Sequence, residues 1–503
     1  MQNTQEVPMK ARTGAARIVS ILKFATFAAG TAYVLVFVVV ALLRIGYPYA
    51  LEIQEGAMVD HVHRVLSAEC LYVSPSVEFT PSLYTPFYYY VSAMLSLVVG
   101  EGYLPLRLVS LLSCLGVFAF IIMIVKRETG DIVHGVIAAG LYAATYTLTE
   151  HWFDIARVDS FFMLLLLSVI WLMRFGESRA SQIVAGVLVC IGYLTKQTSL
   201  VVLLPVLVAN VYLKKKGSVH LILTAAVLLV ASHFIFEHFH KGWYWYYIFR
   251  LASEHEIAEK YVVGFWVNDL GKAFGIACLF SVVYVLLRVF RERDHKVIFY
   301  MAAVVGFIAG SWMSRFHAGG AGNTLMPAYA ILSILFGLSL SQAYSVFPRW
   351  PMDRRHTFAA AIYLWCLVQY LILWTSPMPA VPSKDDWEMG RSLERDIAGI
   401  DGDVLVPNYS NLTLRMGKAT CVHTGPLIDV FRGPKNEAMI LLKDIERAVH
   451  EKQFAAIVRS AVWSESKGML ALDQHYYRDR LVVPGNSPFW PNALWLHLPI
   501  EED

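Results

Sequence analysis

The chain has 503 residues, of which 57% are hydrophobic and only 16% charged, and its mean hydropathy is +0.51. A soluble domain carries about 25% charged residues, so an ordinary soluble protein is excluded. A formal net charge of +3 gives no basic surface of the kind nucleic acid requires, and no nucleic-acid partner is expected.

The basic N-terminal residues 1–17 lead into an apolar run at 18–43. That run is too long for a cleaved signal and no small-residue cleavage site follows it, so it reads as a retained helix with a cytoplasmic N-terminus. Further apolar runs lie at 107–125, 132–149, 160–174, 182–194, 198–213, 219–237, 271–289, 297–313, 324–344 and 357–375. By length these make about eleven crossings. Basic clusters at Lys126–Arg127, Arg174 with Arg179, Lys214–Lys216, 288–296 and 349–355 fall at every second connection. The positive-inside rule makes those connections cytoplasmic. Phe87–Val99 is apolar but short, and a full crossing there would invert every later cluster. It is therefore expected as a juxtamembrane or re-entrant helix.

After Trp374 the chain turns polar. Strand-like 403–406, helix-like 436–450 and apolar 454–458 predict a small α/β domain over 376–503, outside the membrane. Residues 1–375 form the membrane-embedded part. The expected fold is thus an all-α polytopic membrane protein with a small C-terminal α/β domain. Cys70 and Cys421 both lie outside the bilayer in this topology, where a pair is possible.

Ionisable groups beside hydrocarbon are costly and tend to be functional. Glu52, Glu55, Asp60, His61, His63 and Arg64 crowd the first outer loop. Arg157 and Asp159 stand at the mouth of the 160–174 helix, where the plainer role is a pair fixing a helix end. Lys196 interrupts two short apolar runs, and such breaks point to binding sites. Arg315 and His317 precede Gly319–Gly322, either a simple turn or an anion cradle beside a helix start. Trp243 and Trp245 fit an interfacial belt better than a sugar-stacking platform. No cofactor motif is present. Glu52, Glu55, Asp60, His61 and His63 could together hold a divalent ion, but two histidines two apart in a loop are common without one, so no metal is expected.

Carboxylates and cations on one face suit glycosyl transfer from a polyprenyl-phosphate sugar. The phosphate leaves once its charge is matched by cations such as Lys196, Arg157 or Arg315. The acceptor hydroxyl needs a base, which the 55–60 stretch supplies. Such direct displacement inverts the anomeric centre. A lipid-linked-sugar flippase or transporter is the rival reading. It would show paired repeats and midplane charges, whereas the polar motifs here gather on one face.

Glu55-Gly56-Ala57-Met58-Val59-Asp60, Arg64, Leu71-Tyr72 and Tyr84-Thr85-Pro86-Phe87-Tyr88 resemble the first outer loop of GT-C-fold glycosyltransferases. The resemblance is to the protein O-mannosyltransferase, aminoarabinose transferase and rhizobial lipopolysaccharide glycosyltransferase-like group. It extends to Arg107-Leu108-Val109-Ser110, Ala156-Arg157-Val158-Asp159, Leu194-Thr195-Lys196-Gln197-Thr198 and the 318–323 turn, ending in Asn323. It implies a polyprenyl-phosphate-sugar donor, a lipid, glycan or protein acceptor, and outer-face catalysis at a bacterial inner membrane. It also implies an acid in the first outer loop. The family's usual Asp-Glu pair is replaced here by Glu55-Gly56. Glu55 is the first candidate base and Asp60 the second; on a helix they lie roughly 140° apart. Lys196, Arg157, Asp159, Arg315, His317, Arg64, Tyr84 and Tyr88 are the candidate substrate-binding residues.

Overall fold

A computed structural model describes residues 9–292, 296–460 and 472–500. The eleven apolar runs before residue 376 each fall mainly on a helix. Among the described residues seven helices are long and apolar enough to cross a bilayer by length and composition: Gly14–Arg44, Tyr103–Thr129, Val219–His240, Lys260–Arg291, Lys296–Phe316, Gly322–Leu340 and Met352–Leu373. Shorter helices at Ile132–Ala144, Asp159–Phe175, Arg179–Thr195 and Ser199–Lys214 fill the bundle between them.

The helices are labelled as far as the site needs them: α1 (Met9–Arg44), α2 (Glu55–Leu66), α3 (Phe87–Val99), α4 (Tyr103–Thr129), α5 (Ile132–Ala144), α6 (Asp159–Phe175), α7 (Arg179–Thr195) and α8 (Ser199–Lys214). Small residues let these helices approach closely, as expected where lipid provides no hydrophobic drive between them. A Cβ at Gly140 of α5 would stand 2.2 Å from the Gly30 Cα of α1, and one at Gly306 would stand 2.0 Å from the Val202 carbonyl of α8.

Phe87–Val99 is a 13-residue helix, about 20 Å long at 1.5 Å per residue and too short to span. It starts behind Pro86 and stops at Gly100, whose φ of 90° ends the helical path. The charge argument had required a helix of this kind at this place. Between α7 and α8 the backbone opens at Lys196, which is extended with φ −155° and ψ 119°. The basic clusters meet at the opposite end of the bundle, where Arg174 pairs with Glu128 at 2.6 Å and Lys214 donates to the Gly176 carbonyl at 2.6 Å.

The C-terminal segment forms a four-stranded sheet in the order β1-β2-β4-β3, from β1 (Val404–Leu405), β2 (Ala456–Ser460), β3 (Tyr476–Val483) and β4 (Leu494–Pro499). β1 and β2 are parallel, and the other pairs are antiparallel. β2 lies second in that order and is buried along its whole length, which is why 454–458 reads as an apolar run. Its core is continuous with the first loop: Tyr47, Met58, Val62 and Tyr103 cluster with Leu412, Leu427, Leu441 and Trp490. Cys70 is exposed, Cys421 is buried, and both are free thiols, so the pairing open in the sequence does not form. Asn408 and Asn411, each in an Asn-x-Ser/Thr sequence, are 3% and 4% exposed and face the interior.

Candidate functional site

The site lies at the end of the bundle beneath the C-terminal domain. Its floor is an ion pair. Lys196 Nζ donates to Asp159 Oδ1 at 2.7 Å, and Asn323 Nδ2 donates to the same oxygen at 2.9 Å. Asp159 opens α6 and Lys196 sits at the break after α7, so the ion pair ties together two helix ends that lie side by side. Asp159 Oδ2 is buried without a protein partner. Phe162, Met163, Val202, Gly310, Ser314 and Met326 wall a narrow cavity above this pair.

Arg157 stands beside this pair, on the far side of Tyr84. Its Nη2 donates to the Tyr84 hydroxyl at 2.8 Å, and its guanidinium stacks on Trp152 at 4.8 Å and Tyr84 at 5.2 Å. Arg157 Nε is buried with no partner in the protein. Lys196 Nζ sits 5.7 Å from the Tyr84 ring centre. Two cations and a tyrosine thus share one space, with an unfilled donor on one cation. Buried polar atoms normally find partners, so an unfilled buried donor beside a cavity marks where a ligand's acceptor belongs.

The loop carrying Arg157 is fixed from below. Arg44 holds Asp154 through two bonds of 2.8 and 2.6 Å, and it also donates to the His151 carbonyl at 2.6 Å. Two residues later Glu55 takes over. Its Oε1 accepts from Arg107 Nε at 3.0 Å and from Ala156 N at 2.5 Å. Its Oε2 accepts from Arg107 Nη2 at 2.7 Å and from Leu51 N at 2.6 Å. Both side chains of this pair are fully enclosed.

The chain matches the family model described as dolichyl-phosphate-mannose-protein mannosyltransferase over residues 83–245. No curated protein matches it by sequence. Among solved structures it resembles ArnT from Cupriavidus metallidurans bound to undecaprenyl phosphate. That match has a TM-score of 0.59 at 14% identity and covers 93% of this chain and 97% of that one. It also resembles the Archaeoglobus fulgidus oligosaccharyltransferase tethered to an acceptor peptide containing the NVT sequon. There the TM-score is 0.53 at 10% identity, covering 93% of this chain and 74% of that one. The chain has the GT-C fold.

Within this GT-C fold, the residues singled out in the sequence separate into two groups. Asp159 and Lys196 line the cavity, and Arg157 and Tyr84 stand beside that pair. The others have different work. Arg64 lies at the far end of α2, paired with Glu69 at 2.6 Å and donating to the Cys70 carbonyl at 3.0 and 3.1 Å. Tyr88 is buried against α4, donating to the Leu106 carbonyl at 3.1 Å. Arg315 is held by Asp269 at 3.0 Å and by the Gly320 carbonyl at 3.2 Å. His317 lies between the Ala318 and Ala252 carbonyls. The backbone N–H of Gly322 is taken by Glu150 at 3.1 Å. The glycine turn is therefore a latch rather than an open anion cradle.

Neither acid first considered as a base stands free. A carboxylate offers about four acceptor positions, and Arg107, Ala156 and Leu51 fill all of those on Glu55. Asp60 faces the C-terminal domain, where Ser410 Oγ donates to its Oδ2, and its Oδ1 is buried without a partner. Burial pushes the Asp60 carboxyl up to about 8 against a single favourable hydrogen bond from Ser410. It therefore carries its proton near neutral pH. His61 spends Nδ1 on the Ala57 carbonyl at 2.5 Å and Nε2 on the Ser82 N–H at 2.9 Å, and His63 pairs with Glu101 at 2.9 Å. No group of three or more potential metal ligands occurs among the described residues.

The raised Asp60 value gives a pH signature. Below about 3.8, its ordinary value, folded and unfolded chains both hold the proton. As pH climbs from there the unfolded chain releases it first, and stability drains away until the folded carboxyl ionises near 8. Asp60→Asn mimics the neutral acid. The variant is expected to melt with wild type at pH 4 and above it at pH 8.5, by the order of a few kcal/mol. Thermal unfolding in detergent across that range checks it, and parallel curves would refute it.

The acids and amides that complete the site were not separable by motif. Asn323 was legible only as the end of a glycine-rich turn. Glu52 was one acid among several. Asp429 and His423 lie in a C-terminal segment with no recognisable motif, yet His423 faces the first loop and Asp429 lies near Arg157. His423 Nδ1 accepts from Gly425 N at 3.1 Å, so its Nε2–H donates to the Ile53 carbonyl at 2.9 Å. Asp429, beside Arg432 and Arg157, is pushed up to about 7 by burial.

Proposed function

We propose that this protein is an inverting glycosyltransferase that moves a sugar from a polyprenyl-phosphate donor to a lipid, glycan or protein acceptor at the outer face of a bacterial inner membrane. The observation that carries the reading is the buried convergence of Lys196 and Arg157 beside a narrow cavity with one guanidinium donor unfilled. The donor phosphate would bind there, its polyprenyl tail remaining in lipid. Displacement requires negative charge to leave on the phosphate, and preorganised cations in a water-poor site stabilise that charge far better than water does. Asp159 keeps Lys196 aimed and the two cations from repelling each other freely.

The relatives support the same class. One is a structure with undecaprenyl phosphate bound, another holds an acceptor peptide, and the matching family model is named for a dolichyl-phosphate-mannose donor. The basic clusters at the opposite end favour a cytoplasmic end there and an outer location for the site. The test is mass spectrometry of surface glycolipids and glycoproteins from cells with and without the protein. Loss of one sugar from one class of product supports the reading, and identical spectra refute it.

A further inference from the structure

The first loop carries three acids near Arg157's anchor, and the packing leaves one of them open. Glu55 has every acceptor position filled, and Asp60 is turned toward Ser410. Glu52 is half-buried on the turn leading into α2. Its Oε2 accepts from Gln54 N at 3.0 Å. Its Oε1 has no protein partner among the described residues.

The turn is held on two sides. Arg157 Nη1 reaches the Gln54 carbonyl at 3.5 Å, and His423 of the C-terminal domain donates to the Ile53 carbonyl at 2.9 Å. A Cβ at Gly425 would fall 1.8 Å from the Gln54 side-chain oxygen, so that domain presses directly on the turn. This leaves a carboxylate with a free oxygen on an immobilised turn beside the phosphate-facing arginine, as a general base requires.

Resting on the glycosyl-transfer reading, we propose that Glu52 is the catalytic base and that Glu55 is a positioning residue. The acceptor hydroxyl oxygen forms the new bond to the anomeric carbon. The bond from that carbon to the phosphate oxygen breaks, and its electron pair leaves on the polyprenyl phosphate. The acceptor's proton passes to the free Glu52 oxygen and then to water. Glu55 acts through Ala156: by gripping that N–H it fixes the backbone one residue before Arg157.

The charges around Glu52 suit the task. Burial raises its carboxyl to about 7, with Arg157 and the Gln54 N–H pulling down and Glu55 and Glu150 pushing up; Tyr409 also faces it. A base poised near the operating pH combines availability with proton affinity.

The experiment complements a deletion strain with Glu52→Gln, Glu52→Asp and Glu55→Gln, reading surface glycans by mass spectrometry and the purified proteins by thermal melting and undecaprenyl-phosphate binding. Glu52→Gln is expected to reduce product by about 10²–10⁴-fold while melting no lower than wild type and binding lipid as wild type does. Glu52→Asp should recover part of the activity. The wild-type rate should rise through pH 7, and the residual rate of Glu52→Gln should be flat there. Glu55→Gln should lower the melting temperature. Full product from Glu52→Gln, or an unchanged rise through pH 7, would overturn the assignment. Identical glycans in the deletion and wild-type strains would overturn glycosyl transfer itself, and the role of Glu52 with it.

Discussion

Arg107→Met is expected to remove most of the folded protein from the membrane. Arg107 and Glu55 are both fully enclosed and joined by two hydrogen bonds of 3.0 and 2.7 Å. The same guanidinium donates to the Tyr47 and Tyr49 carbonyls at 2.5 and 2.6 Å. Methionine fills much of the volume but supplies none of these donors. Glu55 would be left as a buried carboxylate without its cation, and two loop carbonyls would lose their partners. Breaking a buried pair from one side costs about 3–5 kcal/mol, a large share of the roughly 5–15 kcal/mol by which proteins are folded. Monodisperse yield in detergent and melting temperature report the loss. Replacing both partners, as Arg107→Met with Glu55→Met, should melt above Arg107→Met alone, because it removes the orphaned charge. An unchanged melting temperature in the single variant would show that the pair does not hold the loop.

The second large effect is on the donor. Lys196→Met should weaken undecaprenyl-phosphate binding by about 10–100-fold, because a hydrogen bond to a charged group contributes about 1.5–3 kcal/mol. The protein should still fold. Asp159 keeps the Asn323 amide at 2.9 Å and remains in the field of Arg157. Adding Asp159→Asn to Lys196→Met removes the remaining buried charge and should restore any lost stability without restoring affinity. Separating those two readouts distinguishes a phosphate ligand from a helix-end clamp. Donor affinity equal to wild type in Lys196→Met would remove the lysine from the site.

These two pairs mark what the sequence reveals and what it hides. The crossings were legible because apolar length and basic clusters are local properties. The same arithmetic required Phe87–Val99 to be a short helix, and it is 13 residues long. Lys196 was legible as a cation that interrupts two short apolar runs, a costly place for an ionisable side chain. Partnership was not legible. Glu55 meets Arg107 across 52 residues of chain, and Asp60 meets Ser410 across 350. Arg315 read as a phosphate ligand because nothing in its neighbourhood announces Asp269, 46 residues earlier. A motif records which residue types recur in order. Whether a carboxylate is free or saturated depends on backbone N–H groups such as Ala156 and Leu51, which carry no sequence signature. The C-terminal segment was hidden for the same reason: its contribution is packing and a few hydrogen bonds onto the Ile53–Gln54 turn.

On the proposed function, a polyprenyl-phosphate sugar gives up its sugar at the Lys196–Arg157 site. The most direct measurement is the membrane pool of polyprenyl-phosphate-linked sugars, determined by mass spectrometry of lipid extracts from a deletion strain complemented with wild type or with Lys196→Met. One such sugar lipid is expected to accumulate in the variant and in the uncomplemented strain, with the matching sugar missing from a surface product. Equal pools and equal surface products in all three strains would contradict it.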